Sequence, residues 1–187
     1  MIETLISSKT RIKLLLKFFI NQENASYLRR LEQEFGESTN AIRVELNRLE
    51  GAGLLTSYLV GNKKFFKANL HHPLYSDLHN MVLKHTGLDQ LVLSICESIP
   101  YMEKIYLTGD LSKGLDGGII DLVFIGSVRK AHLVHILNKI EQQIGRNIRF
   151  LVFNEETVEN TLRPALAGNP LLLYDKNQPP LDQSMTA

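Results

Sequence analysis

The chain has 187 residues, with 21 Lys and Arg, 20 Asp and Glu and a formal net charge of +1 at pH 7. That length allows one domain or two small ones, and the apolar and charged shares are those of an ordinary soluble globular protein. No apolar run approaches the roughly 20 residues that a bilayer span requires, and the lone cysteine, Cys96, excludes an internal disulfide and a cysteine-built metal cluster.

The near-neutral total hides an asymmetry. Residues 1–70 carry 11 Lys and Arg against 7 Asp and Glu, whereas residues 71–187 carry 10 against 13. A polyanionic partner is therefore expected on the first part.

Ser8 or Thr10 can cap a first helix running from Lys9 to about Ile20, with Ile12, Leu15, Leu16 and Phe19 as its apolar stripe. Its LLLKFFI run is interrupted by Lys17 and lacks a cleavage site, so it reads as a core helix and not as a signal peptide. After the polar turn Asn21–Asn24, a second helix is expected over Ala25–Phe35, burying Leu28, Leu31 and Phe35 and turning Arg29 and Arg30 outward. Gly36 stops it, and Ser38 caps a third helix. There Ile42, Leu46 and Leu49 share one face, while Thr39, Asn40, Arg43 and Asn47 lie largely on the other; Gly51 and Gly53 end it. Strands are expected over Leu54–Val60 and Lys64–Ala68, joined by a Gly61-Asn62 turn.

The order of three helices and a hairpin, carried by STNAIRVELNRLEGAGLL and SYLVGNKKFFKAN, resembles the winged helix-turn-helix of bacterial repressors of the arsenical-repressor and multiple-antibiotic-resistance type over residues 8–70. The resemblance implies a third helix in the major groove and a wing on the backbone or minor groove. It assigns groove contacts to Ser38, Thr39, Asn40, Arg43 and Asn47, and wing contacts to Asn62, Lys63 and Lys64. The residue chemistry agrees: Arg43 can pair bidentately with guanine, Asn40 or Asn47 with adenine, and Arg29, Arg30, Lys63 and Lys64 supply charge without reading sequence. Double-stranded DNA is the expected partner.

Pro73 suits the start of a helix carrying Leu74, Leu78, Met81, Val82 and His85 in one stripe. Gly87 interrupts it, and Leu88, Leu91, Val92, Ile95 and Cys96 form a second stripe ended by Pro100, with Cys96 expected as a buried, inert thiol. These helices are too apolar to stand alone and are expected to bury against the next domain, a partner subunit or both; the winged-helix resemblance implies a homodimer through them. His71, His72, His79 and His85 do not share a compact ligand spacing, so no metal is expected.

Strands follow over Lys104–Thr108, Ile119–Ile125, Ile148–Phe153 and Leu171–Tyr174, with a loop at 109–114 and helices over Val128–Ile144 and Glu155–Leu166. This alternation implies an α/β layer. The tail from Gln178 reads as disordered. TGDLSKGLDGGIIDLVFIG resembles the signature of the minimal nucleotidyltransferases, over about residues 87–175. The family uses Gly-Ser, a small helix ending in glycine and two strand aspartates to hold two metals. Here Gly109, Lys113, Gly114 and Asp121 match, while Asp110 stands for the serine and Ile119 for the first aspartate. IRFLVF offers no third carboxylate, and nothing in the spacing requires Asp116 to substitute.

The expected architecture is thus α+β: a winged helix-turn-helix over 1–70, a helical connector over 71–100, a nucleotidyltransferase-like α/β domain over 101–177 and a tail over 178–187. The expected function is a cytoplasmic, non-enzymatic transcriptional regulator without a cofactor, taking a small-molecule or nucleotide effector. Gly109, Asp110, Lys113, Gly114 and Asp121 would form a vestigial nucleotide pocket. The alternatives are an active nucleotidyltransferase acting on a small molecule, protein or RNA, and a protein-interaction module, as in a toxin–antitoxin pair.

Overall fold

Two serines set the starts of the principal helices at the beginning of the chain. Ser8 accepts the Arg11 N–H and Ser38 the Ala41 N–H, each at 3.2 Å, satisfying donors that a first helical turn leaves open. In the computed structural model, which describes residues 2–154, 166 and 169–178, the chain divides into two units. The first comprises Met1–His85 with Lys113–Asp116, the second Thr86–Ser112 with Gly117–Ala187. The connector expected over 71–100 is divided between them.

The first unit contains α1 (Ile2–Leu5), α2 (Lys9–Phe19), β1 (Ala25–Tyr27), α3 (Leu28–Phe35), α4 (Thr39–Gly51), β2 (Leu55–Val60), β3 (Lys63–Ala68) and most of α5 (Tyr75–Thr86). Its strands form an antiparallel sheet in the order β1-β3-β2. Leu14–Leu16, Phe18–Ile20, Leu31, Ile42, Leu46, Leu55 and Phe66 are buried together in its core.

Three local expectations are corrected. Ala25–Tyr27 is a strand and not the start of a helix, because its backbone pairs with Lys67, Phe66 and Phe65 of β3. Leu28 and Phe35 are only half-buried. Gly51 stays helical, and the left-handed turn falls on Gly53, with φ 75°. Lys17, which breaks the apolar run, is 3% exposed and pairs with Glu34 at 2.7 Å. Burial lowers its pKa more than Glu34 restores it.

The second unit contains α6 (Leu88–Ser98), β4 (Met102–Thr108), α7 (Gly109–Ser112), β5 (Ile119–Gly126), α8 (Lys130–Ile144), β6 (Asn147–Phe153) and β7 (Leu171–Asp175). The sheet order is β6-β5-β4-β7, with β5 and β6 parallel and the other pairs antiparallel. The parallel pair requires a crossover, which α8 supplies. Ile120 and Leu122–Gly126 are all buried, which fits a strand covered on both faces. The loop expected at 109–114 opens instead with the short helix α7. Cys96 is half-buried; burial, then the charge of Glu97, pushes its thiol up to about 11. The helix expected over Glu155–Leu166 lies outside the described residues apart from Leu166, in a turn, as does the tail beyond Gln178. No helix among the described residues is long and apolar enough to cross a membrane.

His79 supplies a pH-dependent tie within the first unit. Its Nδ1 lies 2.6 Å from the Phe19 carbonyl oxygen; a carbonyl only accepts, so Nδ1 carries the proton. Burial lowers the His79 pKa, outweighing the opposing effect of that bond. The neutral imidazole therefore contributes stability above about pH 6.5, and that stability is lost as pH falls through the lowered folded value. Glu37, Glu45 and Glu50 also have lowered values, but as carboxylates they act only below about pH 4.5. Thermal melting should drop between pH 7.5 and 5.5 in the natural protein and much less in His79→Gln; equal slopes would contradict this assignment.

Candidate functional site

The first candidate face is built on α4. Ile42, Glu45, Leu46 and Leu49 are buried, which leaves Asn40, Arg43, Val44 and Asn47 exposed along one stripe. Glu45 fixes this roll. The residue is 6% exposed, and its carboxylate accepts Arg11 Nε–H at 2.9 Å, Arg11 Nη2–H at 3.2 Å, Arg48 Nη1–H at 3.1 Å and the Ser8 hydroxyl at 3.2 Å. Arg11 above all, opposed by burial, holds the carboxyl below the usual carboxylate range. Val44 escaped the sequence reading; its signal was an aliphatic residue out of phase with Ile42, Leu46 and Leu49.

The other residues expected at nucleic acid fall as follows. Ser38 is the N-cap and Thr39 is half-exposed. Asn62, Lys63 and Lys64 are exposed around the β2–β3 turn, where Gly61 takes φ 58°. Three of the cations are engaged: Lys64 pairs with Glu50 at 2.8 Å and Arg30 with Glu34 at 2.9 Å, and Lys63 Nζ donates to the Tyr27 hydroxyl at 3.5 Å. Arg29 is exposed on α3.

The second candidate lies on the sheet of the second unit. Thr108, Gly109, Asp121–Val123 and Arg149–Leu151 line a surface cavity of about 320 Å3. Register brings its polar groups together, since Asp121 is paired with Thr108 on β4 and with Arg149 on β6. Arg149 donates Nε–H to Asp121 Oδ1 at 2.7 Å and Nη2–H to Oδ2 at 2.9 Å. Gly109 has φ 68°, and a Cβ there would lie 2.1 Å from Asp121 Oδ2. The residue at 109 must therefore be small for the carboxylate to lie where it does. Asp121, first through its hydrogen bonds and then its charge, raises the Arg149 pKa, and Asp110 adds a weaker pull.

Of the five residues expected to form a nucleotide pocket, Gly109 and Asp121 meet, and Asp110 is near enough to act on Arg149 electrostatically. Lys113 and Gly114 group with the first unit, where a Cβ on Gly114 would fall 2.3 Å from Lys17 Cα. Arg149 was not foreseen. It stands opposite Asp121 on the strand where a third carboxylate was sought, and only the parallel register reveals it. Among the described residues no three His, Cys, Asp or Glu come together, and Asp121 is engaged by the Arg149 guanidinium.

No family model matches the chain, and no curated protein does. Among solved structures, it is similar to a chain of a mutant of the toxin–antitoxin MntA–HpeT (14% identity, 48% of this chain, 74% of that one, TM-score 0.40). It is also similar to a chain of a complex of the tri-AMPylated Shewanella oneidensis HEPN toxin with the MNT antitoxin (12% identity, 48% and 70% covered, TM-score 0.37). A putative nucleotidyltransferase from Sulfolobus solfataricus is similar at 17% identity, with 60% and 98% covered and a TM-score of 0.36. The chain is mixed α+β, and these likenesses span 48–60% of it. The expectation of a non-enzymatic protein is corrected by these likenesses, and catalysis is not set aside for this chain. No residue role, substrate or partner passes from them to it.

The contact of Gly109 with Asp121 predicts a coupled pair of substitutions. Gly109→Ala should cost about 1–2 kcal/mol for the left-handed backbone alone, plus the displacement of the carboxylate from Arg149. In an Asp121→Gly background, which removes the carboxylate and the Asp121 Cβ that would lie 3.0 Å away, only the backbone cost should remain. A double-mutant cycle by denaturant unfolding reads the difference; equal costs in both backgrounds would contradict the close approach.

Proposed function

We propose that the chain is a sequence-specific, DNA-binding transcriptional regulator that reads duplex DNA through its first unit. The exposed stripe of Asn40, Arg43, Val44 and Asn47 on a helix rolled into place by its buried face carries the reading. These groups match what a major groove offers: guanine O6 and N7 for Arg43, adenine N6 and N7 for an asparagine, and the thymine methyl for Val44. The hairpin tip with Asn62, Lys63 and Lys64 is the proposed wing, and Arg29 and Arg30 are proposed phosphate contacts. The regulator acts as a homodimer on a two-fold site, with the cavity beside Gly109 as the place of a small-molecule or nucleotide effector.

The test is binding to an operator selected from random duplexes. Arg43→Ala should cost about 1–3 kcal/mol at one base position and relax specificity there. Lys63→Ala should weaken all sequences alike and reduce the slope of log affinity against log salt by about 0.9. Lys64→Ala should reduce it less, because Glu50 already neutralises that ammonium. A duplex affinity independent of salt would overturn the reading.

One observation favours a second reading, nucleotidyl transfer by the second unit: the Asp121 carboxylate sits against the Gly109 backbone at the cavity. Arg149 holds that carboxylate, so transfer through Asp121 requires the pair to open. Incubation with labelled nucleoside triphosphates and Mg²⁺ should then label an acceptor, more with Arg149→Ala and not with Asp121→Asn. Absence of label with both the natural protein and Arg149→Ala would remove this reading.

A further inference from the structure

The small sheet of the first unit has one face turned to the core and one turned to solvent. Ser26, Leu55, Phe66 and Ala68 are buried on the inner face. On the other, the register places Tyr27 beside Phe65 and Phe65 beside Tyr58, a row of three aromatic rings across all three strands. The Tyr27 and Phe65 centroids are 5.1 Å apart, and those of Phe65 and Tyr58 are 5.7 Å apart with planes at 21°. Tyr58, on the edge strand, is 42% exposed. Exposed Lys63 and Lys67 flank Phe65 along β3 on the same face, and no residue of the three strands is acidic. Lys63 Nζ lies 4.6 Å from the Tyr27 centroid and Lys67 Nζ 5.8 Å from that of Tyr58.

Tyr27 and Phe65 are half-buried and Tyr58 is exposed, and ammonium groups over the rings of Tyr27 and Tyr58 show that those faces can be reached. Rings that stack with bases, and cations that follow phosphates, are the two components of sequence-tolerant binding to unpaired strands. A duplex keeps its bases inside and could use only the lysines.

We propose that this face, with Tyr27, Phe65, Tyr58, Lys63 and Lys67, is a stacking platform for an unpaired nucleic-acid strand, separate from the α4 stripe. A base takes the place of an ammonium over a ring, and that ammonium turns to the phosphate beside it. The platform goes beyond duplex reading and uses none of the α4 residues.

The experiment is fluorescence anisotropy of the full chain with a labelled 12-nucleotide oligo-dT, an oligo-rU of equal length and an unrelated duplex. Tyr58→Leu keeps an apolar side chain on the edge strand but removes the ring, and Tyr58→Phe keeps the ring. Single-strand affinity should fall roughly five- to a hundredfold in Tyr58→Leu and be retained in Tyr58→Phe, while duplex affinity stays unchanged in both. Lys67→Ala should lower the single-strand salt slope by about 0.7. A preference for dT or rU assigns the strand as DNA or RNA. Arg43→Ala should leave the single-strand affinity intact, which separates this proposal from the duplex reading. The platform is overturned if neither oligomer binds, if Tyr58→Leu binds as the natural protein does, or if Arg43→Ala abolishes both kinds of binding.

Discussion

Glu45 is the constraint on which the first unit depends. It sits on the inward side of α4, where a carboxylate would normally be excluded. Arg11 and Ser8 from the region of α2, and Arg48 from α4 itself, close around it. Ser8 acts twice, accepting the Arg11 N–H as a helix cap and donating to Glu45. The start of one helix and the roll of the other are thereby fixed by one hydroxyl and one carboxylate. With Ile42, Leu46 and Leu49 buried beside Glu45, the opposite stripe has no choice but to face solvent. The chemistry assigned to Asn40, Arg43, Val44 and Asn47 follows from this inward anchor.

Asp121 in the second unit presents the contrasting case. It too is held by an arginine, but at the rim of a cavity and beside a glycine that leaves no room for a side chain. The Arg149 side chain is 67% exposed, so solvent screens the pair and its contribution to stability is small. What the pair does is occupy the carboxylate. Glu45 is a structural anchor because its partners enclose it, whereas the hold on Asp121 lies open to solvent.

How far the sequence discloses these features depends on the range of the interactions involved. Helix caps and turns are local, so Ser8, Ser38, Gly61 and Gly87 can be read directly from the chain. The α4 stripe is nearly so, since its period repeats within four residues. β1 is hidden because three residues carry no period, and only pairing with β3, some forty residues on, makes them a strand. The same reason conceals Arg149: its meaning lies in a parallel register across α8. Lys17 looks like a break in an apolar helix until Glu34 is brought to it. The aromatic row is likewise scattered in sequence, with Tyr27, Tyr58 and Phe65 joined only by the sheet.

The measurement that tests the account most directly is selection of bound duplexes from a random pool by the full chain, repeated with Arg43→Ala. The account predicts enrichment of a two-fold symmetric site with the natural protein, and loss of base preference at one symmetry-related position in the variant. No enrichment over the starting pool, or an identical site with the variant, would contradict it.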